Sequence, residues 1–491
     1  MLHIAFAQNL LNSNTHLQEL LKTYFNGAHI SERQIELALL SDKNNSDISY
    51  VYVLKQWRDL VAVILLLKFQ NLLTERINSI ILKRSRFLRS ITIWPERQVM
   101  TLYPLLANAL TGKSRTKFDF SQSASGYCPD LFFDNSAFGE LPTPIYHAEL
   151  AILLYLYGQA CEDSIYIDAA IKMAEWQKNT FDFDFNPFVA LFSKEGESSE
   201  FSLLLLNFSL FSLIGKIATQ EEAKAIGEII AQKIEKLEGT ESSSTSVLAI
   251  VLANYCMEKL DRNRAVNNLP QVIFDESQAL VGVRSSKYSV ISTLYGNNSG
   301  MGSLHIGDVK IVNYAPQCLP LGEFQGFGLE GGNRLLAHHL KHIQASEHSF
   351  ELDGSMRVKA CQGDENSSIK DSGGTWIDAR QAFKEGVLDI SISSNDNFKN
   401  ETLAFVFFVK CQTCEIKPEV TIKLKSFDRY QGNADTLFLN GVNSTVTIKS
   451  ARKDVEMHVI PLGGGDSFWG ADFLVAYYLN PSEKEFSWQV F

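Results

Sequence analysis

The sequence predicts an α+β protein of two parts, an all-helical domain over residues 1–265 followed by a large antiparallel β-sandwich over residues 271–491. Two observations predict this division. Apolar residues recur with helical spacing from about Ser31 to Leu260, whereas after Pro270 they alternate with polar residues. The segment DRNRAVNNLP between the two patterns is polar and ends in proline, so the domain boundary is placed there.

The helical half is predicted from its apolar periodicity and from its capping residues. Residues 50–83 keep apolar positions at i, i+3, i+4 and i+7 over many turns. Pro144 suits the first turn of a second clear helix, Gly158 lies near its end, and Asp163 or Ser164 can cap the helix that follows. Further helices are predicted over 199–215, 218–237 and 244–260. The short connecting loops favour a bundle or an incomplete α/α toroid.

The second half is predicted to be entirely β. About fourteen segments are rich in β-branched and aromatic residues with a period of two, and Gly, Asn, Asp or Ser separates them. Strands joined by short turns indicate an antiparallel sandwich rather than a parallel sheet. The dipeptide Asp353-Gly354 suits a type I′ turn and predicts a hairpin at that point.

Composition excludes several classes of protein and partner. The formal net charge of −11 argues against nucleic acid, because phosphate binding needs clustered Lys and Arg. The most apolar stretches, Leu60–Phe69 and Phe201–Gly215, are shorter than the roughly 18 residues that a membrane span needs. The N-terminal residues have no secretory pattern, and the seven cysteines are scattered along the chain. We therefore expect a cytoplasmic protein without nucleic-acid or membrane partners.

One segment near the start of the β half carries a resemblance to a known family. Residues 295–317 read YGNNSGMGSLHIGDVKIVNYAPQ, in which a turn with Gly300 and Gly302 leads into a strand carrying His305, followed by Asp308 and an apolar strand. With a helical domain first and a β domain second, this pattern resembles the heparinase II/III-like polysaccharide lyases. The resemblance implies a toroid followed by a sandwich, and β-elimination next to the carboxylate of a uronic acid.

Such an elimination needs a base and an acid. The proton next to the sugar carboxylate is very weakly acidic, so a base must remove it and an acid must protonate the leaving oxygen. His305 and a tyrosine, either Tyr146 or Tyr295, are the candidates for these two roles, and His147 beside Tyr146 is a further catalytic candidate.

The same reaction needs a group that neutralises the substrate carboxylate while charge spreads in the transition state. Asn297 or Asn298, together with Arg284, is the candidate for this binding role. Trp469 lies in a Gly-rich segment and could stack on a sugar ring. The cleft between the two domains is the usual place for such a site. The expected partner is a carbohydrate, anionic if it contains a uronic acid, and no cofactor is predicted.

Two other functions remain open on the sequence. A catalytically inactive carbohydrate-binding or scaffold protein would keep the architecture, with His305 as a structural residue in an apolar strand. A glycoside hydrolase would need two opposed carboxyl groups. The acidic residues available for that role otherwise suit loops and caps, and they are Asp182, Asp184, Glu195, Glu197 and Glu200.

Two clusters have spacings that permit metal binding or redox chemistry. His338, His339 and His342 could bring two imidazoles to one helical face, which would suit a divalent metal, although a solvated surface segment is favoured because no carboxylate accompanies them. Cys411 and Cys414 form a single CxxC without a second pair, which favours a structural role.

Overall fold

The chain forms two compact units in the computed structural model. Residues Met1–Phe133, Pro144–Lys178 and Ser198–Asn268 make up the first unit, and residues Asp134–Thr143, Asn179–Glu197 and Leu269–Phe491 make up the second. The structure describes residues 15–40, 49–95, 97–112, 116–128, 144–188, 200–214, 221, 223–227, 247–258, 269–294, 300–320, 334–359, 375–394, 401–416, 420–423, 429–462, 470–479 and 485–491.

The first unit, which we call the helical unit, is built from helices with conventional caps. Ser49, Thr74 and Asp163 each accept a hydrogen bond from a backbone N–H of the first turn that they precede. The described helices are α1 (Thr15–Phe25), α2 (Glu32–Leu40), α3 (Tyr50–Phe69), α4 (Glu75–Ile91), α5 (Gln98–Leu110), α6 (Pro144–Cys161), α7 (Ser164–Gln177), α8 (Glu200–Ile214) and α9 (Val247–Glu258). Among the described residues, none of the helices combines the length and the apolar character needed to span a membrane.

A glycine inside α6 allows two helices to approach closely. Gly158 lies three residues before the end of α6, and a Cβ on it would press against Ile167 of α7 and the backbone oxygen of Asp163. Its position is therefore explained by packing as well as by the end of the helix.

The second unit, which we call the β unit, contains two antiparallel sheets, each with nine strands among the described residues. The first sheet has the order β1-β2-β3-β4-β5-β10-β17-β16-β13, and the second has the order β12-β11-β14-β15-β18-β9-β8-β7-β6. The strands are β1 (Val272–Asp275), β2 (Leu280–Arg284), β3 (Ser289–Thr293), β4 (Gly302–Ile306), β5 (Val309–Pro320), β6 (Arg334–Ala345), β7 (Ser349–Lys359), β8 (Thr375–Lys384), β9 (Val387–Ser394), β10 (Glu401–Lys410), β11 (Thr413–Ile416), β12 (Val420–Lys423), β13 (Tyr430–Asn433), β14 (Thr436–Asn440), β15 (Thr445–Ser450), β16 (Glu456–Pro461), β17 (Phe473–Leu479) and β18 (Glu485–Val490). Helices together with large antiparallel sheets confirm the expected α+β class.

The two sheets share one buried apolar core. Phe405 of the first sheet stacks on Trp488 of the second with ring centroids 4.3 Å apart, and both side chains are almost fully buried. Alternation along β18 explains this, since Phe486, Trp488 and Val490 are buried while the residues between them face outward. The period of two read from the sequence therefore places the inner faces correctly.

A short segment that precedes α8 in the chain folds as part of the β unit. Residues 179–188 follow α7 directly, yet they belong to the second unit. The segment closes on itself through an antiparallel bridge between Phe181 and Pro187 and a hydrogen bond from Phe188 N to Thr180 O. The β unit is thus assembled from separate stretches of sequence.

Two local predictions are wrong. Residues 334–345, considered as a helix for the histidine cluster, form strand β6. The predicted hairpin at Asp353-Gly354 is absent, because β7 runs unbroken through both residues. Gly354 serves close packing instead, since a Cβ there would collide with Leu294 and with the backbone oxygen of His339.

Candidate functional site

The glycine-rich turn before β4 is shaped by packing against β5. Gly300 has a φ of +104°, a backbone conformation that side chains disfavour, and a Cβ on it would overlap Asn313. A Cβ on Gly302 would overlap the hydroxyl group of Tyr314. The two glycines therefore let the chain enter β4 tightly, and this entry places His305 between Ser289 of β3 and Lys310 of β5.

His305 pairs with a carboxylate that the sequence did not single out as its partner. His305 Nδ1 lies 2.8 Å from Asp182 Oδ2, and the two side chains are only 7% and 5% exposed. Because Asp182 as a carboxylate only accepts, Nδ1 carries the proton of this bond, and Nε2 is the ring nitrogen that faces elsewhere. Nε2 lies 3.3 Å from Ser303 Oγ, and the Ser303 hydroxyl group donates its proton to Ile311 O at 3.0 Å.

Asp182 organises its own loop as well as the histidine. Its Oδ1 accepts from the backbone N–H groups of Asp184 and Asn186 at 2.9 and 2.7 Å, and the Asn186 amide group donates to both carboxylate oxygens. Phe185, between them, has a φ of +60°. This dense set of donors explains how a carboxylate is kept in a buried position.

The pKa values of the two carboxyl groups in this loop, Asp182 and Asp184, are shifted in opposite directions. Burial alone would raise the pKa of Asp182, but the hydrogen bond and charge of His305, with smaller contributions from Lys310 and Asn186, hold it below its usual value of 3.8. Asp184 has the opposite shift, because partial burial and then the neighbouring charge of Asp182 raise its pKa. Asp182 is therefore the ionised partner of His305 at neutral pH.

Arg284 is buried against the same segment. Its Nη1 donates to Phe181 O at 2.8 Å and its Nε donates to Pro270 O at 2.6 Å. Burial lowers the pKa of Arg284 to about 9, although the charge of Asp182 acts in the other direction. Of the residues predicted from sequence, Arg284 and His305 thus contact the same segment, residues 181–188. Arg284 binds a backbone oxygen of this segment, and His305 binds the Asp182 carboxylate.

The outer side of the segment presents an aromatic ring. Phe183 N donates to Ser289 Oγ at 2.9 Å, while the Phe183 side chain is 43% exposed. On the inner side, the Phe188 ring lies 4.9 Å from the His305 ring. The segment is therefore fixed by its backbone and its buried face, and it leaves one apolar side chain in solvent.

The helical candidates Tyr146 and His147 have different surroundings. Tyr146 is half-buried, and the Arg58 guanidinium lies 5.8 Å from its ring centre. Arg58 in turn pairs with Glu149 through two hydrogen bonds of 2.7 and 2.6 Å, and the Tyr103 hydroxyl group also donates to Glu149. The two parallel hydrogen bonds to Glu149 fix the orientation of Arg58. The cation beside Tyr146 is therefore already paired with a carboxylate.

His147 is fully enclosed in the helical unit. Its Nδ1 lies 2.9 Å from Gln177 Oε1, and its ring packs between Tyr127 and Trp176 with centroid distances of 5.7 and 4.7 Å. Burial lowers the pKa of His147 to about 4, despite the Gln177 hydrogen bond. His147 is therefore neutral at physiological pH.

Several other candidates lie outside the described residues. They are Tyr295, Asn297, Asn298 and Trp469, together with the side chain of His338. Their roles stay predictions.

The remaining clusters lie within the described ranges. His339 and His342 are exposed on β6. Across those ranges, no three His, Cys, Asp or Glu side chains are grouped to hold a metal ion. Cys411 and Cys414 are buried with their sulfur atoms 3.9 Å apart.

Sequence reasoning missed Asp182 and Ser303. Asp182 was considered only as a hydrolase carboxylate or a loop residue, because FDFDFNP has the composition of a loop. Its partner lies 123 positions later in the chain, so no local pattern connects the two. Ser303 could have been found, since in a strand it lies on the same face as His305.

Comparison with known proteins gives a likeness only at the level of structure. The sequence matches no protein-family model and no curated protein. Among solved structures, the chondroitin AC lyase of Streptomyces coelicolor A3 is 7% identical with a TM-score of 0.50, and the match covers 100% of this chain and 74% of that one. A mutant of the heparan sulfate lyase of Pedobacter heparinus is 10% identical with a TM-score of 0.48, with coverage of 100% and 76%. The chain is therefore similar in fold to polysaccharide lyases.

Proposed function

We propose that this protein is a polysaccharide or oligosaccharide lyase that cleaves by β-elimination next to a uronic acid carboxylate. The observation that carries the proposal is His305, a histidine oriented by a buried carboxylate on the strand that follows the glycine-rich turn. The likeness in fold to a chondroitin AC lyase supports the same class of reaction. We further propose that the helices of the first unit form the α/α toroid that accompanies such sandwiches.

The geometry of His305 suits a base. A carboxylate on Nδ1 fixes the tautomer and stabilises the imidazolium that forms when Nε2 takes a proton. Asp182 supplies this carboxylate at 2.8 Å, and its lowered pKa keeps it charged while His305 works. In this proposal Asp182 is a positioning residue, and Nε2 removes the proton next to the uronate carboxylate.

The remaining roles follow from the residue types. Tyr146 or Tyr295 would protonate the leaving oxygen, with His147 as the further catalytic candidate. Asn297 or Asn298 with Arg284 would neutralise the substrate carboxylate, and Trp469 would stack on a sugar ring. The substrate is then an anionic carbohydrate, and these residues supply every role without a cofactor.

The test is the ultraviolet absorbance of the unsaturated uronate product. Purified protein is incubated with a panel of uronic-acid polysaccharides and oligosaccharides, and wild type is compared with His305→Ala. His458→Ala is the matched control, because His458 also pairs with a carboxylate, Glu456, in the β unit at 2.9 Å. We expect a rising signal with wild type and His458→Ala that disappears with His305→Ala.

Each alternative result has a clear meaning. A wild-type protein that is folded but silent on the whole panel would reject the lyase. An active His305→Ala protein would reject His305 as the base. New reducing ends without the ultraviolet signal would indicate a glycoside hydrolase instead.

A non-catalytic carbohydrate-binding or scaffold protein is the second candidate, and the burial of its polar residues favours it. Only 7% of the His305 side chain is exposed, and Arg284 is occupied by two backbone oxygens. Both residues would then serve to hold residues 181–188 in place. Saccharide binding without any elimination product is the result that this candidate predicts.

A further inference from the structure

The outer face of the second sheet carries a groove of about 510 Å³. This volume lies within the roughly 300–1,000 Å³ that ligand pockets occupy. The groove spans the neighbouring strands β8, β9, β18 and β15, so it lies entirely within the β unit and away from His305, which belongs to the first sheet.

The groove exists because the middle of this face has small side chains. Ser391 of β9 and Ser487 of β18 are directly opposite each other in the register, and both are half-buried. Ala382 lies on one side of them and Ala451 on the other, and both line the groove. Larger side chains flank these four residues, among them Arg380, Lys449 and Gln489, so the floor is lowered and the two serines lie on it.

The walls offer fixed donors and acceptors of both kinds. Gln489 Nε2 donates to Asp389 Oδ1 at 2.9 Å, which leaves the other carboxylate oxygen and the amide oxygen of this pair as acceptors. Lys449 lies opposite Gln489 in the register, and Arg380 lies opposite Ser391. The two cations lie on strands that are three spacings, or about 14 Å, apart, one on each side of the floor.

The charges of the walls balance. Arg380 and Lys449 are opposed by Asp389 and by Glu485, which also lines the groove. Arg380 Nη2 additionally lies 3.7 Å from Glu351 Oε2, so part of its charge is already compensated. A strongly anionic chain would require an excess of cations, whereas a ligand whose groups both donate and accept suits a balanced set of carboxylate, amide, ammonium and hydroxyl groups.

We propose that this groove binds a saccharide segment through its hydroxyl groups, as a site separate from the reacting centre. The ligand class rests on the proposed function, because that function makes a saccharide the partner. Neighbouring sugar hydroxyls each donate and accept a hydrogen bond, and this matches the Asp389–Gln489 pair, the lysine and the serine floor. Binding is therefore expected to depend little on salt, unlike binding driven by paired opposite charges.

The test is equilibrium binding to full-length variants, measured by calorimetry, of the uronic-acid panel extended with neutral saccharides. Ser487→Trp fills the groove from its floor, and Thr421→Trp, on the exposed edge strand β12 of the same sheet, is the matched control. We expect Ser487→Trp to weaken binding by about tenfold or more, and Thr421→Trp to bind as wild type does. Gln489→Ala should also weaken binding, and it guards against a Ser487→Trp protein that does not fold.

The outcomes separate this site from the proposed lyase activity, which is measured on the same samples. If elimination continues while Ser487→Trp and Gln489→Ala both bind saccharide as wild type does, the proposed site in the groove is rejected and the proposed lyase activity is retained. Binding lost in these variants without any elimination would support the groove and reject the lyase. Wild-type protein that binds no saccharide of the panel, or binding that falls steeply with salt, would also overturn the proposal.

Discussion

At the scale of single residues, the buried carboxylate of Asp182 holds its own loop in shape and links that loop to the neighbouring sheet. One carboxylate accepts from two backbone N–H groups, from the Asn186 amide group and from His305. It therefore shapes the loop and attaches it to β4 at the same time. The sequence predicted a loop at this point, which is correct, but a carboxylate that satisfies a distant histidine looks the same in sequence as one that caps a turn.

We expect Asp182→Ala to destabilise the β unit strongly. The substitution leaves the buried Nδ1–H of His305 and the backbone N–H groups of the loop without their acceptor, and each unsatisfied buried donor costs about 1–3 kcal/mol. Asp184→Ala is the control, since the Asp184 side chain is exposed and should change the free energy of unfolding by no more than about 0.5 kcal/mol. Urea unfolding followed by circular dichroism measures both, and equal effects of the two substitutions would contradict a stabilising role for the Asp182–His305 pair.

The pH dependence of stability should identify the same residue. The folded-state pKa of Asp182 lies below its usual 3.8, so its contribution is complete above that value and is lost as pH falls through the folded pKa. The difference in unfolding free energy between wild type and Asp182→Asn should thus shrink as pH falls below 3.8.

Asp184 provides the internal comparison. Its pKa is raised, so wild type should gain stability relative to Asp184→Asn as the solution is acidified. If the stability differences of both variants change in the same direction with pH, the two carboxyl groups do not have pKa shifts of opposite sign.

At the scale of elements, the sequence predicted whether a segment is a strand or a helix better than it predicted where a turn interrupts a strand. Alternation along β18 and periodicity along α3 depend only on neighbours in the chain, and both were predicted. Gly354 was misread as a turn because a mid-strand glycine is explained by Leu294 and His339, which approach it from elsewhere in the fold. The helical spacing considered for the histidines of β6 was wrong, because a short segment with apolar and polar residues fits either period.

The two sheets are joined by a buried hydrogen-bond bridge that can be tested. Tyr314 of β5 accepts from Ser292 at 2.8 Å and donates to Gln381 of β8 at 2.7 Å, and Gln381 donates to Thr293 O at 3.2 Å. Tyr314→Phe leaves two buried groups unpaired, so the free energy of unfolding should fall by about 1–3 kcal/mol.

Tyr430→Phe is the control for that substitution. Tyr430 is half-buried, and its hydroxyl group makes one long bond of 3.3 Å to Asn433 O. We expect it to change the free energy of unfolding by no more than about 0.5 kcal/mol. If thermal and urea unfolding show no difference between the two variants, the bridge does not stabilise the contact between the sheets.

At the scale of the whole molecule, the β unit is discontinuous in sequence. Residues 179–188 belong to it although the helices α8 and α9 come between them and β1. A boundary drawn from composition could not show this, because the change of pattern near residue 265 is real while the packing of a ten-residue loop leaves no periodic signal.

Hydrogen exchange of the full chain would map this assignment. Replacing residues 182–187 with a Gly-Ser sequence of equal length should speed amide exchange in β3 and β4, whose Ser289 and His305 bind the segment. Exchange in α7, which is adjacent in sequence, should stay unchanged. Faster exchange confined to α7 would place the segment in the helical unit instead.

The pairing of Asp182 with His305 also sets an order of events during synthesis. The two residues are 123 positions apart, and ribosomes add about 5–20 residues per second, so the loop emerges roughly 6–25 s before its partner strand exists. Through that interval the aromatic run FDFDFNPF has no sheet to cover it. We expect the nascent chain to be most susceptible to proteases and most dependent on chaperones in this window, and newly made β4 to end it.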